Sequence, residues 1–146
     1  MKDLKNRIKE HEGFRSKVYL DSMDPPNRTV GYGHLCVEDF WEDDKEYDKE
    51  FLEEIFEKDF QNAVDNAEDI CNEYDLDITP TATEVLIEMV YQLGIGNVKK
   101  FKRMIAALKE QDYETASIEM LDSKWAEQTP SRAEELSLIM KDAESY

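Results

Sequence analysis

Glu12, Asp21 and Thr29 are the residues whose types and spacing could do chemistry. Two carboxylates and a hydroxyl are the inventory for acid-assisted cleavage of a glycosidic bond. One acid protonates the leaving oxygen while the other carboxylate activates a water. Taken singly, a Glu at a helix end and an Asp in a turn are ordinary surface charges, and Thr is an ordinary strand former. Chemistry follows only if the surrounding elements bring the three together.

Those elements can be read from periodicity. Leu4 and Ile8 fall at helical spacing in residues 2–12, and Gly13 is a stop signal, so Glu12 closes a helix. Val18 to Asp21 and Thr29 to His34 alternate apolar and polar residues, which predicts a β-hairpin. Its open loop, Ser22 to Arg28, contains Pro25-Pro26, which cannot pair in a ladder. In that hairpin Asp21 and Thr29 would face each other from adjacent strands, and a one-residue slip would turn Thr29 away. Residues 38–50 are acidic, with Phe40, Trp41 and Tyr47, and read as a turn or short strand leading into a helix.

From Phe51 to Cys71 the stripe Leu52, Ile55, Phe56, Phe60, Ala63, Val64, Ala67 and Ile70 predicts a long amphipathic helix. Thr81 and Glu84 form a capping box for a helix that is apolar on most sides and ends at Gly94. Shorter helices are expected around 101–109, 113–121 and 132–141, with Pro130 well placed at a first helical position. The expected fold is α+β and mostly α, one domain over 1–146. A small N-terminal lobe at about 13–50 holds the hairpin, a helix at 51–71 connects it, and 72–146 with helix 2–12 forms a larger helical lobe.

Composition narrows the function classes. A hydrophobic content of 40% is too high for disorder. No apolar run is long enough to span a bilayer, so no stable membrane insertion is expected. The net charge of −17 is uneven: residues 1–35 carry +2, residues 36–94 carry −17, and residues 95–146 carry −2. Such a field disfavours nucleic acid and anionic surfaces as partners. Cys36 and Cys71 have no metal-ligand spacing and read as two isolated small side chains. His11 and His34 do not form a metal cluster, and no metal or organic cofactor is implied. Gly31 and Gly33 read as backbone needing a twist or a close approach, not as a phosphate loop.

The run Glu12-Gly-Phe-Arg-Ser-Lys-Val-Tyr-Leu-Asp21 followed by Thr29-Val-Gly-Tyr-Gly-His-Leu35 resembles the catalytic signature of phage-type lysozymes. Met89 to Gly94, Ser123-Lys124-Trp125 and Gln128 to Ala133 resemble the T-even branch of that family. The resemblance covers nearly the whole chain. It implies an inverting muramidase in which Glu12 is the general acid and Asp21, helped by Thr29, activates water. The substrate it implies is the β-1,4 bond between N-acetylmuramic acid and N-acetylglucosamine in peptidoglycan. It also implies Arg132 as a partner of Glu12 and an ion pair between His34 and Asp59. Leu35, Tyr91, Met104 and Glu119 correspond to sugar-contacting positions, with core packing the equal alternative for Tyr91. Trp125 reads as a packing anchor.

The loop between Asp21 and Thr29 looks longer than in close relatives. No secretory signal is apparent at the N-terminus. The resemblance therefore implies an endolysin that accumulates in the host cytoplasm, leaves through a separate pore protein, and acts as a monomer. The alternative is a non-catalytic virion or wall-binding protein of the same fold.

Overall fold

The computed structural model describes residues 2–22 and 25–145. The order of elements is α1 (Lys2–Glu12), β1 (Arg15–Leu20), β2 (Arg28–Gly31), β3 (His34–Leu35), α2 (Lys49–Glu73), α3 (Pro80–Leu93), α4 (Ile95–Val98), α5 (Lys102–Lys109), α6 (Tyr113–Leu121), α7 (Lys124–Gln128) and α8 (Pro130–Lys141), then a 3-10 turn at Ala143–Ser145. The expected class, α+β and mostly α, is what these elements form. By backbone contacts the chain divides into a unit ending at Asn62 and a second beginning at Ala63.

The first unit contains α1, the sheet and the N-terminal part of α2. Its antiparallel sheet has the order β1-β2-β3. The third strand was not expected, because Thr29 to His34 reads as one continuous strand. Gly31 and Gly33 adopt φ of 64° and 78°, which turns the chain back on itself and starts β3 at His34. One sheet face carries Val30 into a cluster with Trp41, Tyr47 and Leu52, against which Val18, Cys36, Phe51 and Ile55 pack. Segment 36–48 forms turns, not a strand.

Helix α1 groups with this first unit, which differs from the expected placement of residues 2–12 in the helical lobe. Polar and aromatic contacts to α2 account for it. Lys5 Nζ lies 2.8 Å from Glu57, and Lys9 Nζ lies 2.7 Å from Glu53 and 4.8 Å from the centre of the Phe56 ring. A cation over an aromatic face adds about 0.5–1 kcal/mol at such partly exposed sites.

In the second unit α3 buries Ala82, Val85, Leu86, Ile87, Glu88, Met89 and Val90, as its apolar circumference predicts. It starts two residues earlier than expected. Thr79, not Thr81, is the cap, its side chain accepting from Ala82 N at 3.2 Å with Pro80 in the first helical turn. Pro has a φ suited to that position and lacks the N–H that would go unpaired there. Helix α8 packs against α3, α6 and α7, and α6 against α5. The short helices α4 and α7 were not expected from periodicity, being only 4 and 5 residues long. Among the described residues no helix is long and apolar enough to cross a membrane.

Candidate active site

Glu12 is the last residue of α1. Gly13 follows with φ of 71°, and its N–H bonds Lys9 O at 2.9 Å, so the helix stops there by a left-handed turn. The carboxyl group of Glu12 lies against the β2–β3 turn. A Cβ placed on Gly33 would sit 2.5 Å from Glu12 Oε1. Only glycine leaves that space open, so the close approach read from the Gly-Tyr-Gly sequence is an approach by Glu12 itself.

The turn is held by its middle residue. Tyr32 donates its hydroxyl to Glu53 Oε1 at 2.8 Å, while Lys9 occupies Oε2 at 2.7 Å. Burial, with the Glu53 bond adding, pushes the Tyr32 phenol up to about 12. The Lys9 ammonium holds the Glu53 carboxyl below its usual range. This Lys9–Glu53–Tyr32 chain carries no motif that sequence reasoning could have used.

Asp21 and Thr29 are placed by the sheet register. Thr29 lies opposite Tyr19 and not opposite Asp21, which corrects the expected pairing. Asp21 continues the ladder just past β1, its N–H bonding Asn27 O at 3.0 Å. Because side chains alternate with a period of two, Tyr19, Asp21 and Thr29 still share one face. Leu35, opposite Thr29 on β3, joins that face. Irregular pairing between Arg15 and Tyr19 absorbs the extra residues of β1 without changing this parity. The long loop therefore leaves the two expected residues on the same side, set diagonally.

Each is fixed by Asn27, which sequence reasoning missed. Asp21 accepts from the Asn27 backbone N–H at 2.8 Å and from its side-chain amide at 3.2 Å. Thr29, only 3% exposed, donates its hydroxyl to Asn27 O at 3.1 Å. Its one proton is thereby committed, and its oxygen can only accept.

His34 is bound on both nitrogens: Nδ1 to Asp59 Oδ2 at 2.7 Å, as expected, and Nε2 to Glu38 Oε1 at 2.9 Å, which was not. Glu38 also accepts from Trp41 Nε1 at 2.7 Å. Burial works to lower the histidine pKa, but the bonds to Asp59 and Glu38 outweigh it and raise it overall. The His34 bond in turn holds the Glu38 carboxyl below its ordinary value.

Most of the remaining expected residues lie in the second unit. Arg132 on α8 donates Nε to Glu88 Oε2 at 3.0 Å, with Glu88 0% exposed. Glu88 interrupts the apolar run Leu86 to Val90, and that lone charge was a signal for a buried partner. Met104 is 1% exposed on α5, a core position that presents no surface to a sugar, which corrects its expected contact role. Tyr91 on α3 and Glu119 on α6 are partly exposed, and Leu35 in the first unit is 48% exposed. Trp125 is buried, its indole N–H bonding Gln92 Oε1 at 2.9 Å, the packing anchor expected. Cys36 and Cys71 are free, half-buried thiols that burial raises above the usual range. Among the described residues no three His, Cys, Asp or Glu side chains are grouped to hold a metal ion.

The family model for phage lysozyme matches residues 9–138, a span that takes in Glu12, the whole sheet and most of α8. The chain belongs to the phage lysozyme family. It is 26% identical to "Probable T4-type lysozyme 2" of Dictyostelium discoideum, over 89% of this chain and 88% of that one. It is 30% identical to "Pre-baseplate central spike protein Gp5" of Enterobacteria phage T4, over 95% of this chain but only 28% of the spike protein. Membership makes the chain a lysozyme-type glycoside hydrolase by family.

Proposed function

We propose that the protein hydrolyses the β-1,4 bond between N-acetylmuramic acid and N-acetylglucosamine in bacterial peptidoglycan. Glu12 gives its proton to the leaving oxygen, and Asp21 with Thr29 activates the attacking water. The observation that carries this reading is the placement of Asp21 and Thr29 on one sheet face while Glu12 is seated on the turn of the same sheet.

The hydrogen bonds suit those roles. A water becomes more nucleophilic as it donates its protons to acceptors, and Asp21 and Thr29 each offer it one. Thr29 does so because its own proton is held by Asn27. Direct attack by water gives inversion and needs the two carboxyl groups about 6.5–9.5 Å apart. The 1,6-anhydro product of a transglycosylase would reject the water-activating role.

The cellular role proposed is that of an endolysin released to the wall through a separate pore protein. A second reading, a virion component of the same fold, is favoured by the similarity to the spike protein. Wall clearing by purified protein, its product anomer and two variants test the chemistry. Removal of a general acid costs about 10²–10⁴-fold in rate. Glu12→Gln and Asp21→Asn are each expected to lose activity within that range while remaining folded. Equal clearing by Glu12→Gln and the parent, or none by either, would sink the catalytic assignment.

A further inference from the structure

Tyr19 lies in the middle of the proposed catalytic face. It is opposite Thr29, which is opposite Leu35, so the three form one row across the sheet. Asp21 follows on the same face two residues later. The Arg15 guanidinium lies 4.8 Å from the centre of the Tyr19 ring, which fixes the ring from one side. Among the described residues its hydroxyl is not one of the buried polar atoms left without a partner, so it reaches solvent on this face and is open to a ligand. A tyrosine with an apolar body packed in the sheet and a polar tip at its surface can exchange solvent for a ligand oxygen.

We propose that Tyr19 is a substrate-positioning residue: its phenol donates a hydrogen bond to a neutral oxygen of the sugar bound beside Asp21. The proposal rests on the glycosidase reading above. The attacking water is the poorer recipient, since a bond donated to it would draw electron density from the oxygen that must act as nucleophile. The phenol also remains a donor throughout turnover. Burial, then the charge of Glu12, raise its pKa above the ordinary 10, with Arg15 opposing and Asp21 adding. A group so disposed toward its neutral form offers its proton to a sugar oxygen without becoming a third anion.

Tyr19→Phe keeps the ring under Arg15 and removes only the donor. On purified murein, in the full chain, KM is expected to rise roughly 5- to 10-fold, the range of one neutral hydrogen bond. The kcat should stay within about twofold, and the pH profile and thermal midpoint should not move. An unchanged KM overturns the proposal. So does a loss of activity accompanied by a lower thermal midpoint, which would mark a packing role, or a shifted pH profile, which would place the phenol in proton transfer. Tyr19→Leu, which also removes the ring, should raise KM further; a value equal to the parent's again overturns it. Glu12→Gln, measured alongside, separates the two readings. An inactive Glu12→Gln with an unaltered Tyr19→Phe rejects only the role of Tyr19, whereas an active Glu12→Gln, or an inactive parent, rejects the glycosidase reading itself.

Discussion

At the scale of single residues, the position most sensitive to change is one without a side chain. Gly33 leaves the space that Glu12 fills, and its φ of 78° is one that an L-residue adopts at a cost of about 1–2 kcal/mol. Gly33→Ala must both strain the turn and push the Glu12 carboxyl away by an amount comparable to a bond length. Misplacing a reacting group by about 1 Å can cost on the order of 10²-fold. The variant is therefore expected to lose far more activity than stability. Wall-clearing rate and thermal midpoint, measured on the same preparation, check this; a midpoint that collapses with the rate would contradict it. Asn27 teaches a related lesson. It supplies three of the bonds that hold Asp21 and Thr29, yet an asparagine before a strand looks in sequence like any turn former.

At the scale of elements, the clamp on His34 ties β3 to α2 through Asp59 and to the following turn through Glu38. The signs decide its pH dependence. His34 has a raised folded-state pKa, so its stabilisation is complete below the unfolded value near 6.5 and fades as pH rises through the folded one. Glu38 has a lowered pKa, so its contribution is present above the ordinary carboxylate range and is lost as pH falls through the folded value. Asp59→Asn should thus destabilise most in mildly acidic solution, by about 1–3 kcal/mol, and less at alkaline pH. Urea unfolding across pH tests this, and a difference that grows toward high pH would refute it.

Helices with long stripes were legible, α2 and α3 above all, because burial imposes a 3.6-residue period on many residues at once. The sheet was only partly legible. Two residues in β3 offer no periodicity, and the diagonal placement of Asp21 and Thr29 depends on a register, Tyr19 opposite Thr29 and Asp21 bonded to Asn27, that side chains do not announce. Motif residues stood out as types in order, whereas Glu38, Glu53 and Asn27, which hold them, are common residues whose role exists only after folding.

At the scale of the whole molecule, charge is the distinguishing feature. The excess of −17 falls within residues 36–94, so the long helix and its surroundings repel an anionic wall polymer. Screening lengths shrink from about 30 Å at 0.01 M salt to about 10 Å at 0.1 M. Activity is expected to rise over that interval, roughly twofold or more, before falling at higher salt. Turnover of murein against added NaCl checks this; a steady decline from the lowest salt would count against it. The two units can also be told apart optically. Trp41 lies in the first, bonded to Glu38, and Trp125 in the second, bonded to Gln92; the sequence has 2 tryptophans in all. Each unit thus contains its own fluorophore. Replacing either indole with phenylalanine leaves one tryptophan as reporter, so the melting midpoints of the two variants, compared, tell whether the units unfold together.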